Sequence, residues 1–288
     1  MEIKEDLSQR ISSNYKDMSK GQKAIAAFLL KSYDKAAYMT AVKLGETVNV
    51  SESTVVRFAY MLGYDGYPKL QKSLQEMLRN KLTSAQRAEI VSGLDSSTVL
   101  KTTLKADMDN IRLTIEEADS ETFEKVVDSI FKARSIYILG LRSALPLVQF
   151  IGYYFNFIFD NVRVVTSGVN DIFEQLIHVG EHDVLIAISF PRYARRTVEA
   201  IAFSKDKGAK IIAITDSLLS PLTTYADHTL LARSDMASFA DSLVAPLSLI
   251  NALIIAVGIR KKADTSVEFS DLEKIWDKYN VYVGKDDV

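Results

Sequence analysis

Apolar residues recur at helical spacing from Met18 to about Lys81, in short segments separated by turn signals and without an alternating, strand-like run. This pattern predicts an all-helical domain at residues 1–82. Residues 83–97 are polar and only weakly periodic, which is typical of a linker. Residues 98–288 then form the second predicted domain, and 288 residues suffice for two domains that each bury a core.

The second region changes its periodicity part-way along. It begins with a predicted amphipathic helix, whose apolar stripe consists of Leu100, Leu104, Met108, Ile111 and Ile115. After Arg134, short apolar runs alternate with helical segments, and the predicted strands lie in SIYILG, VRVVTSG, DVLIAISF, KIIAIT and DHTLLA. Strands joined by helices predict an α/β domain with a mostly parallel, five-stranded sheet covered on both faces. Ligands of such sheets bind beyond the carboxyl ends of the strands.

The composition favours a folded protein of a reducing compartment. Hydrophobic residues make up 48% and charged residues 25% of the chain, and the absence of cysteine excludes disulfides and thiolate sites. The charged N-terminus MEIKEDLSQR lacks the apolar core of a secretory signal, so we expect a cytoplasmic protein. Pro246, Ser248 and Asn251 interrupt the apolar stretch from Leu243 to Ile259, which therefore predicts a buried or dimer-forming helix.

Charge is distributed unevenly between the two predicted domains. Residues 1–82 hold 13 Lys and Arg against 9 Asp and Glu, whereas the remainder holds 22 against 28. A net charge of +4 on the first domain and −6 on the second is typical of a polyanion-binding head on an acidic body.

Two short helices in the head have the pattern of a helix-turn-helix. The first is predicted near Ala41–Thr47 and the second at Ser51–Leu62, with Ser51 as N-cap and Gly63 just beyond the end. One face of the second helix is apolar, and the other offers hydroxyls and a guanidinium to DNA. A solvated polar face is the alternative interpretation. The predicted DNA contacts are Lys43, Ser51, Ser53, Thr54, Val56, Arg57, Tyr60 and Lys69.

The segment VSESTVVRFAYMLGYDGYPKL resembles the helix-turn-helix signature of the RpiR (MurR/RpiR) family of bacterial regulators. The positions that fit its pattern are Val50, Ser51, Thr54, Val55, Arg57, Phe58, Leu62, Gly63, Tyr64, Gly66 and Tyr67. That family pairs the head with a SIS (sugar isomerase) domain, a flavodoxin-like sheet that binds phosphosugars. The resemblance implies a non-enzymatic regulator of carbohydrate metabolism, working as a dimer or tetramer on a double-stranded DNA operator, with a phosphorylated or otherwise anionic sugar as effector.

The resemblance also places an effector site at the strand ends. The stretch ISFPRYARRT aligns with the Ser-x-Ser-Gly-x-Thr phosphate loop of SIS domains: Ser189 keeps the first serine, but Pro191, Arg192 and Ala194 replace the second serine, the glycine and the threonine. Three arginines beside a helix N-terminus still favour an anion. The predicted effector contacts are Ser143, Ser189, Arg192, Arg195, Arg196, Ser234 and Ser238.

Other chemistries find less support. The turn GLRSA after the first strand lacks the three-glycine dinucleotide fingerprint, so no cofactor is expected, and the histidines His178, His182 and His228 form no metal motif. An isomerase needs a positioned base, and only Glu199 or Asp241 remains as an unplaced candidate. An alternative interpretation of Arg192, Arg195 and Arg196 is that they face solvent, acidic partners or a dimer interface. Two alternative functions stay open: a DNA-binding scaffold whose SIS domain only dimerises, and an isomerase-like enzyme.

Overall fold

The computed structural model describes residues 7–37, 39–81, 96–235 and 240–282. The chain divides into two compact units, Met1–Thr83 and Ser84–Val288. Most of the predicted linker at residues 83–97 lies outside the described residues, and the helix that follows it begins at Ser96.

The first unit is helical, as predicted. Its helices are α1 (Leu7–Asn14), α2 (Lys20–Ala36), α3 (Ala41–Val48), α4 (Glu52–Met61) and α5 (Tyr67–Lys81). Their apolar faces meet in one core, to which α4 contributes Val55, Phe58 and Ala59, each fully buried. The apolar face predicted for the second helix is therefore confirmed.

The turn between α3 and α4 is tight. Asn49 has a left-handed backbone, φ 55°, and the Val50 amide donates to the Gly45 carbonyl at 2.9 Å. A Cβ on Gly45 would lie 2.7 Å from the Val50 carbonyl oxygen, so only glycine allows this approach. Gly63, φ 80°, lies just beyond the end of α4, where the amides of Gly63 and Tyr64 donate to the carbonyls of Tyr60 and Ala59.

The second unit contains a five-stranded sheet with the order β2-β1-β3-β4-β5. Every neighbouring pair of strands is parallel. The strands are β1 (Ile136–Leu139), β2 (Val162–Val165), β3 (Val184–Ile188), β4 (Lys210–Thr215) and β5 (His228–Leu231). All lie where the sequence predicted them. The chain leaves β1 toward β2 and returns to β3 on the other side of β1, so the order reverses between β1 and β3.

Helices cover both faces of the sheet and form two separate cores. The helices of this unit are α6 (Ser96–Glu117), α7 (Ser120–Lys132), α8 (Leu145–Ile158), α9 (Ile172–Gln175), α10 (Arg195–Asp206), α11 (Val244–Arg260) and α12 (Lys262–Lys278). One face packs against α7, α8 and α11, and the other against α9 and α10. Alternate residues of β1 serve the two cores, since Ile136 and Ile138 face one and Tyr137 and Leu139 the other.

Two helices, α6 and α11, expose apolar residues that an ordinary amphipathic helix would bury. Four members of the predicted stripe of α6, Leu100, Leu104, Met108 and Ile115, are exposed. Helix α11 is apolar on both sides, burying Ile250 and Leu253 while leaving Ile255 and Ile259 exposed. Within the described ranges, no helix combines the length and the apolar character needed to cross a bilayer.

Candidate functional site

Helix α4 presents a polar surface opposite its buried face. Ser53, Arg57 and Tyr60 are exposed and Val56 is half-buried, so these four predicted DNA contacts share an accessible side of the helix. The Arg57 Nε donates to the carbonyl of Ser53 at 3.3 Å, which holds the guanidinium along the helix. The arrangement suits a helix that enters a major groove.

Hydroxyl groups cluster where α4 begins. The Ser51 Oγ lies 2.9 Å from both the Ser53 Oγ and the Thr54 Oγ1. Ser51 occupies the predicted N-cap position, but its side chain makes no capping bond to the backbone. The three hydroxyls therefore lie at the N-terminus of the helix, a position that favours an anion.

The two predicted lysines lie on other helices. Lys43, on α3, is exposed and contacts Glu46 at 3.2 Å, and Lys69, near the start of α5, is exposed. A lysine paired with an exposed carboxylate exchanges that partner for a phosphate at little cost.

In the second unit, a cavity of about 490 Å³ lies at the carboxyl ends of β1 and β3. This is the point where the strand order reverses, the usual ligand position in an open parallel sheet. The residues that line it are Leu141, Arg142, Ser143, Ala144, Ser189, Phe190, Pro191, Arg192, Tyr193, Ala194, Arg195 and Asp241. Four of the predicted effector contacts, Ser143, Ser189, Arg192 and Arg195, thus meet in one cavity.

Two arginines of the cavity have left-handed backbones. Arg142 follows β1 with φ 58°, and Arg192 follows β3 with φ 66°. Arg192 stands where the SIS pattern has glycine, so the tight turn persists although the residue has changed. Such a backbone costs a non-glycine residue about 1–2 kcal/mol, and strain of this kind concentrates at functional sites.

Arg195 and Arg196 each pair with a carboxylate. The Arg195 Nε donates to Glu199 at 2.7 Å, one turn along α10, although Arg195 still lines the cavity. Arg196 is not among the lining residues: its guanidinium pairs with Asp171 and stacks on Phe173. The Phe173 amide and Arg196 together lower the pKa of the Asp171 carboxyl. Arg196 thus pairs with the residue that precedes α9 and does not line the cavity, and its role toward an effector stays a prediction.

Ser234, the first of the two predicted serines after β5, lies outside the cavity lining as well. Ser234 is 2% exposed and is buried beneath the surface rather than open to the cavity. Ser238 lies outside the described residues. Asp241, further along the same connection, is the residue that reaches the cavity, and its Oδ2 accepts from the Ser143 Oγ at 3.4 Å.

The sequence analysis did not select two further lining residues, Arg142 and Tyr193. The Tyr193 hydroxyl donates to the Asp216 Oδ1 at 2.7 Å, which ties the loop after β3 to the end of β4. Asp216 is buried and also accepts from Thr215. Both missed residues stand directly after predicted strands, so their position at the carboxyl edge was the available signal.

A hydrogen bond connects the cavity wall with helix α6. Ser242, the residue after Asp241, donates from its Oγ to the Asp107 Oδ1 at 2.6 Å. Asn110 on the same helix exchanges two bonds with the backbone of Asp235, at 2.8 and 3.0 Å. The connection from β5 to α11 is thereby held to α6 at two points, Asp235 and Ser242.

In the part of the chain that the structure describes, no three His, Asp or Glu side chains converge to form a metal-binding site. The His182 Nε2 lies 3.4 Å from the Glu181 Oε1. Burial and the nearby Lys210 lower the pKa of His228 below its usual 6.5.

Comparison with known proteins matches both units. Residues 5–81 match the helix-turn-helix domain of the rpiR family, and residues 129–256 match the SIS domain. An uncharacterised HTH-type transcriptional regulator of Haemophilus influenzae is 30% identical over 232 residues, which cover 77% of each chain. The chain belongs to the RpiR family of transcriptional regulators.

Two solved structures share the fold. The sugar isomerase domain of an RpiR transcription factor from Sphaerobacter thermophilus aligns with a TM-score of 0.59 and 24% identity, covering 62% of this chain and 99% of that one. The Vibrio vulnificus NanR protein, solved in complex with ManNAc-6P, aligns with a TM-score of 0.57 and 18% identity, covering 95% and 98%. The predicted head and the α/β SIS domain are thus confirmed.

Proposed function

We propose that this RpiR-family regulator changes its affinity for a DNA operator when an anionic sugar derivative occupies the cavity between β1 and β3. The observation that carries the proposal is the pair of left-handed arginines, Arg142 and Arg192, at the two strand ends that border the cavity. A phosphorylated sugar is the effector class that fits best, and a sugar carboxylate satisfies the same charge.

The cavity suits a small polar anion in size and chemistry. Its volume of about 490 Å³ lies within the roughly 300–1,000 Å³ usual for small-molecule sites. The arginines supply charge-assisted donors, while Ser143 and Ser189 supply hydroxyls. Asp241 adds an acceptor for a sugar hydroxyl. Vibrio vulnificus NanR, which shares the fold, was solved with ManNAc-6P, a phosphosugar.

Two guanidiniums replace the hydroxyls that the SIS phosphate loop normally offers. A guanidinium forms two parallel bonds to a phosphate or carboxylate, which a hydroxyl does not. We infer that the site holds its anion by fewer and stronger contacts than the usual Ser-x-Ser-Gly-x-Thr loop. Arg195 also lines the cavity, although Glu199 accepts from its Nε.

The bond between Ser242 and Asp107 gives the cavity a route to α6. Helix α6 is the first helix of the second unit, directly after the predicted linker from the head. A ligand that moves Asp241 also moves the neighbouring Ser242 and, through its bond to Asp107, helix α6. This is the helix of the second unit that lies nearest to the head in the sequence. Such coupling between sites is typically worth about 1–3 kcal/mol.

The head reads DNA through α4 in this proposal. Arg57 and Tyr60 contact bases, Ser51, Ser53 and Thr54 contact phosphates, and Lys43 and Lys69 add backbone contacts. A homo-oligomer presents two heads to two half-sites. A DNA-binding regulator works where the chromosome is, and we place this protein in the cytoplasm.

Catalysis is not part of the proposed function. Asp241 is the one carboxylate among the residues that line the cavity, and its Oδ2 is engaged with the Ser143 hydroxyl. Aldose-ketose isomerisation needs a base placed over the sugar carbons. We expect binding without turnover.

The test is a panel of phosphorylated and acidic sugars, beginning with ManNAc-6P, assayed by thermal shift and by release from an operator duplex selected from random sequence. A sugar that raises the melting temperature and changes operator affinity supports the proposal. Operator binding that no sugar alters indicates a DNA-binding scaffold, and conversion of a sugar, followed by NMR, indicates an isomerase.

A further inference from the structure

Helix α6 attaches to its own domain through polar groups. Asn110 is 1% exposed and bonds to the Asp235 backbone, Thr114 accepts from the Arg233 amide at 2.9 Å, and Glu117 pairs with Arg233. With Asp107, bound to Ser242, these residues form the polar stripe of the helix, at positions 107, 110, 114 and 117. An amphipathic helix normally buries its apolar side, so α6 is inverted.

The apolar stripe of the helix is exposed instead. Leu100, Leu104, Met108 and Ile115 are 66%, 55%, 69% and 69% exposed. Their spacings of 4, 4 and 7 keep them on one side, with Ile111 between the last two. A continuous apolar surface of this length marks an interaction site rather than a solvent-facing helix.

The first turns of the helix project from the domain. Every residue from 98 to 105 is exposed, and eight helical residues span about 12 Å. Covering the exposed Leu100 and Leu104 of this segment with a partner surface would remove their apolar area from water and stabilise it.

The charges beside the stripe fit a second copy of the same helix. Lys101 and Lys105 flank its first half, whereas Asp109, Arg112 and Glu116 follow in its second half with a net charge of −1. Arg112 is already tied to Asp109 and Glu116, at 3.5 and 3.0 Å. An antiparallel pair would place the lysines of each copy opposite the acidic half of the other.

We propose that the α6 stripe is the self-association surface of this protein, pairing antiparallel with α6 of a second copy about a two-fold axis near Met108. This inference rests on the homo-oligomer of the proposed function and assigns it to a particular helix. The axis lies at the middle of the stripe because the pairing is isologous: the N-terminal half of each helix contacts the C-terminal half of its partner.

Sedimentation of the full chain at micromolar concentration tests the surface. Leu104→Glu/Met108→Glu should convert the dimer to a monomer, while Thr98→Glu/Thr102→Glu, which adds the same charge to α6 away from the stripe, should leave it dimeric. If Ile255→Glu/Ile259→Glu on α11 gives a monomer while the α6 variant stays dimeric, the protein self-associates through α11 and the assignment to α6 is wrong. A monomeric wild type would contradict both the α6 surface and the homo-oligomer.

A second measurement does not depend on the stability of a charged variant. The chain has no cysteine, so Met108→Cys introduces a single thiol. Mild oxidation should link two chains through Cys at this position, seen as a dimer on a non-reducing gel. Thr102→Cys, off the stripe, should remain monomeric. Equal crosslinking of both variants, or of neither, contradicts the antiparallel pair.

Discussion

Arg142 and Arg192 follow two neighbouring parallel strands, have left-handed backbones with φ 58° and φ 66°, and both line one cavity. The two positions are equivalent in the fold, because each follows a strand and precedes a helix at the carboxyl edge. A pair of guanidiniums at the point where the strand order reverses is the feature on which the proposed sensing site depends.

The backbone at Arg192 predicts an unusual mutational result. Arg192→Gly should raise the free energy of unfolding by about 1 kcal/mol, because glycine adopts φ 66° without strain, while removing a charge from the site. Arg192→Gln removes the same charge but retains the strain. Thermal denaturation of the two variants separates these effects, and equal melting temperatures would show that the turn is unstrained.

Gly140, at the end of β1, is required by packing. A Cβ there would lie 2.6 Å from the Val148 Cγ2 and 3.0 Å from the Ile188 carbonyl oxygen. Gly140→Ala should destabilise the second unit by about 1–3 kcal/mol through overpacking. Gly168→Ala, where a Cβ meets nothing within 4 Å, is the matched control in a urea titration. A neutral Gly140→Ala would mean that α8 moves away from the strand ends without cost.

Arg57 tests the DNA-binding surface. Arg57→Ala should weaken operator binding by about 1–3 kcal/mol if the guanidinium reads a base, without unfolding the head, since the side chain is exposed. Fluorescence anisotropy with the selected duplex measures the loss. Lys274→Ala, an exposed cation on α12 in the second unit, should bind as the wild type does, and unchanged affinity of Arg57→Ala would contradict the assignment of α4.

Ser242 tests the route from the cavity to α6. Ser242→Ala removes the 2.6 Å bond to Asp107 but no residue that lines the cavity. We expect sugar binding to persist, while the sugar's effect on operator affinity falls toward none from the roughly 5–150-fold typical of allosteric coupling. Ser248→Ala, which removes a bond within α11, should respond normally. A full response in Ser242→Ala would exclude this route.

The periodicity of the sequence predicted the sheet because fully buried parallel strands such as VLIAI leave an unambiguous apolar run. The head was predicted for a related reason, since Val55, Phe58 and Ala59 repeat at helical spacing before a glycine stop. Local patterns determined both results.

Features that depend on distant residues could not be predicted in this way. The pairing of Arg196 with Asp171 spans 25 positions, and no local pattern distinguishes Arg196 from Arg192 or Arg195. The inversion of α6 arises because Arg233 and Asp235 bind its polar stripe from more than 100 positions away. Periodicity indicates that a helix is amphipathic, but not which of its faces is buried.

Calorimetric titration of the sugar that gives the largest thermal shift tests the central claim most directly, with wild type, Arg142→Gln/Arg192→Gln and Arg112→Gln compared at one ionic strength. The account predicts binding to the wild type and to Arg112→Gln. In the double variant it predicts a loss of at least about tenfold, because each charge-assisted hydrogen bond contributes roughly 1.5–3 kcal/mol. In the absence of sugar, the double variant should bind the operator with the affinity of the wild type. Undiminished sugar binding by the double variant, or no binding by the wild type to any sugar tested, would contradict the proposed sensing site.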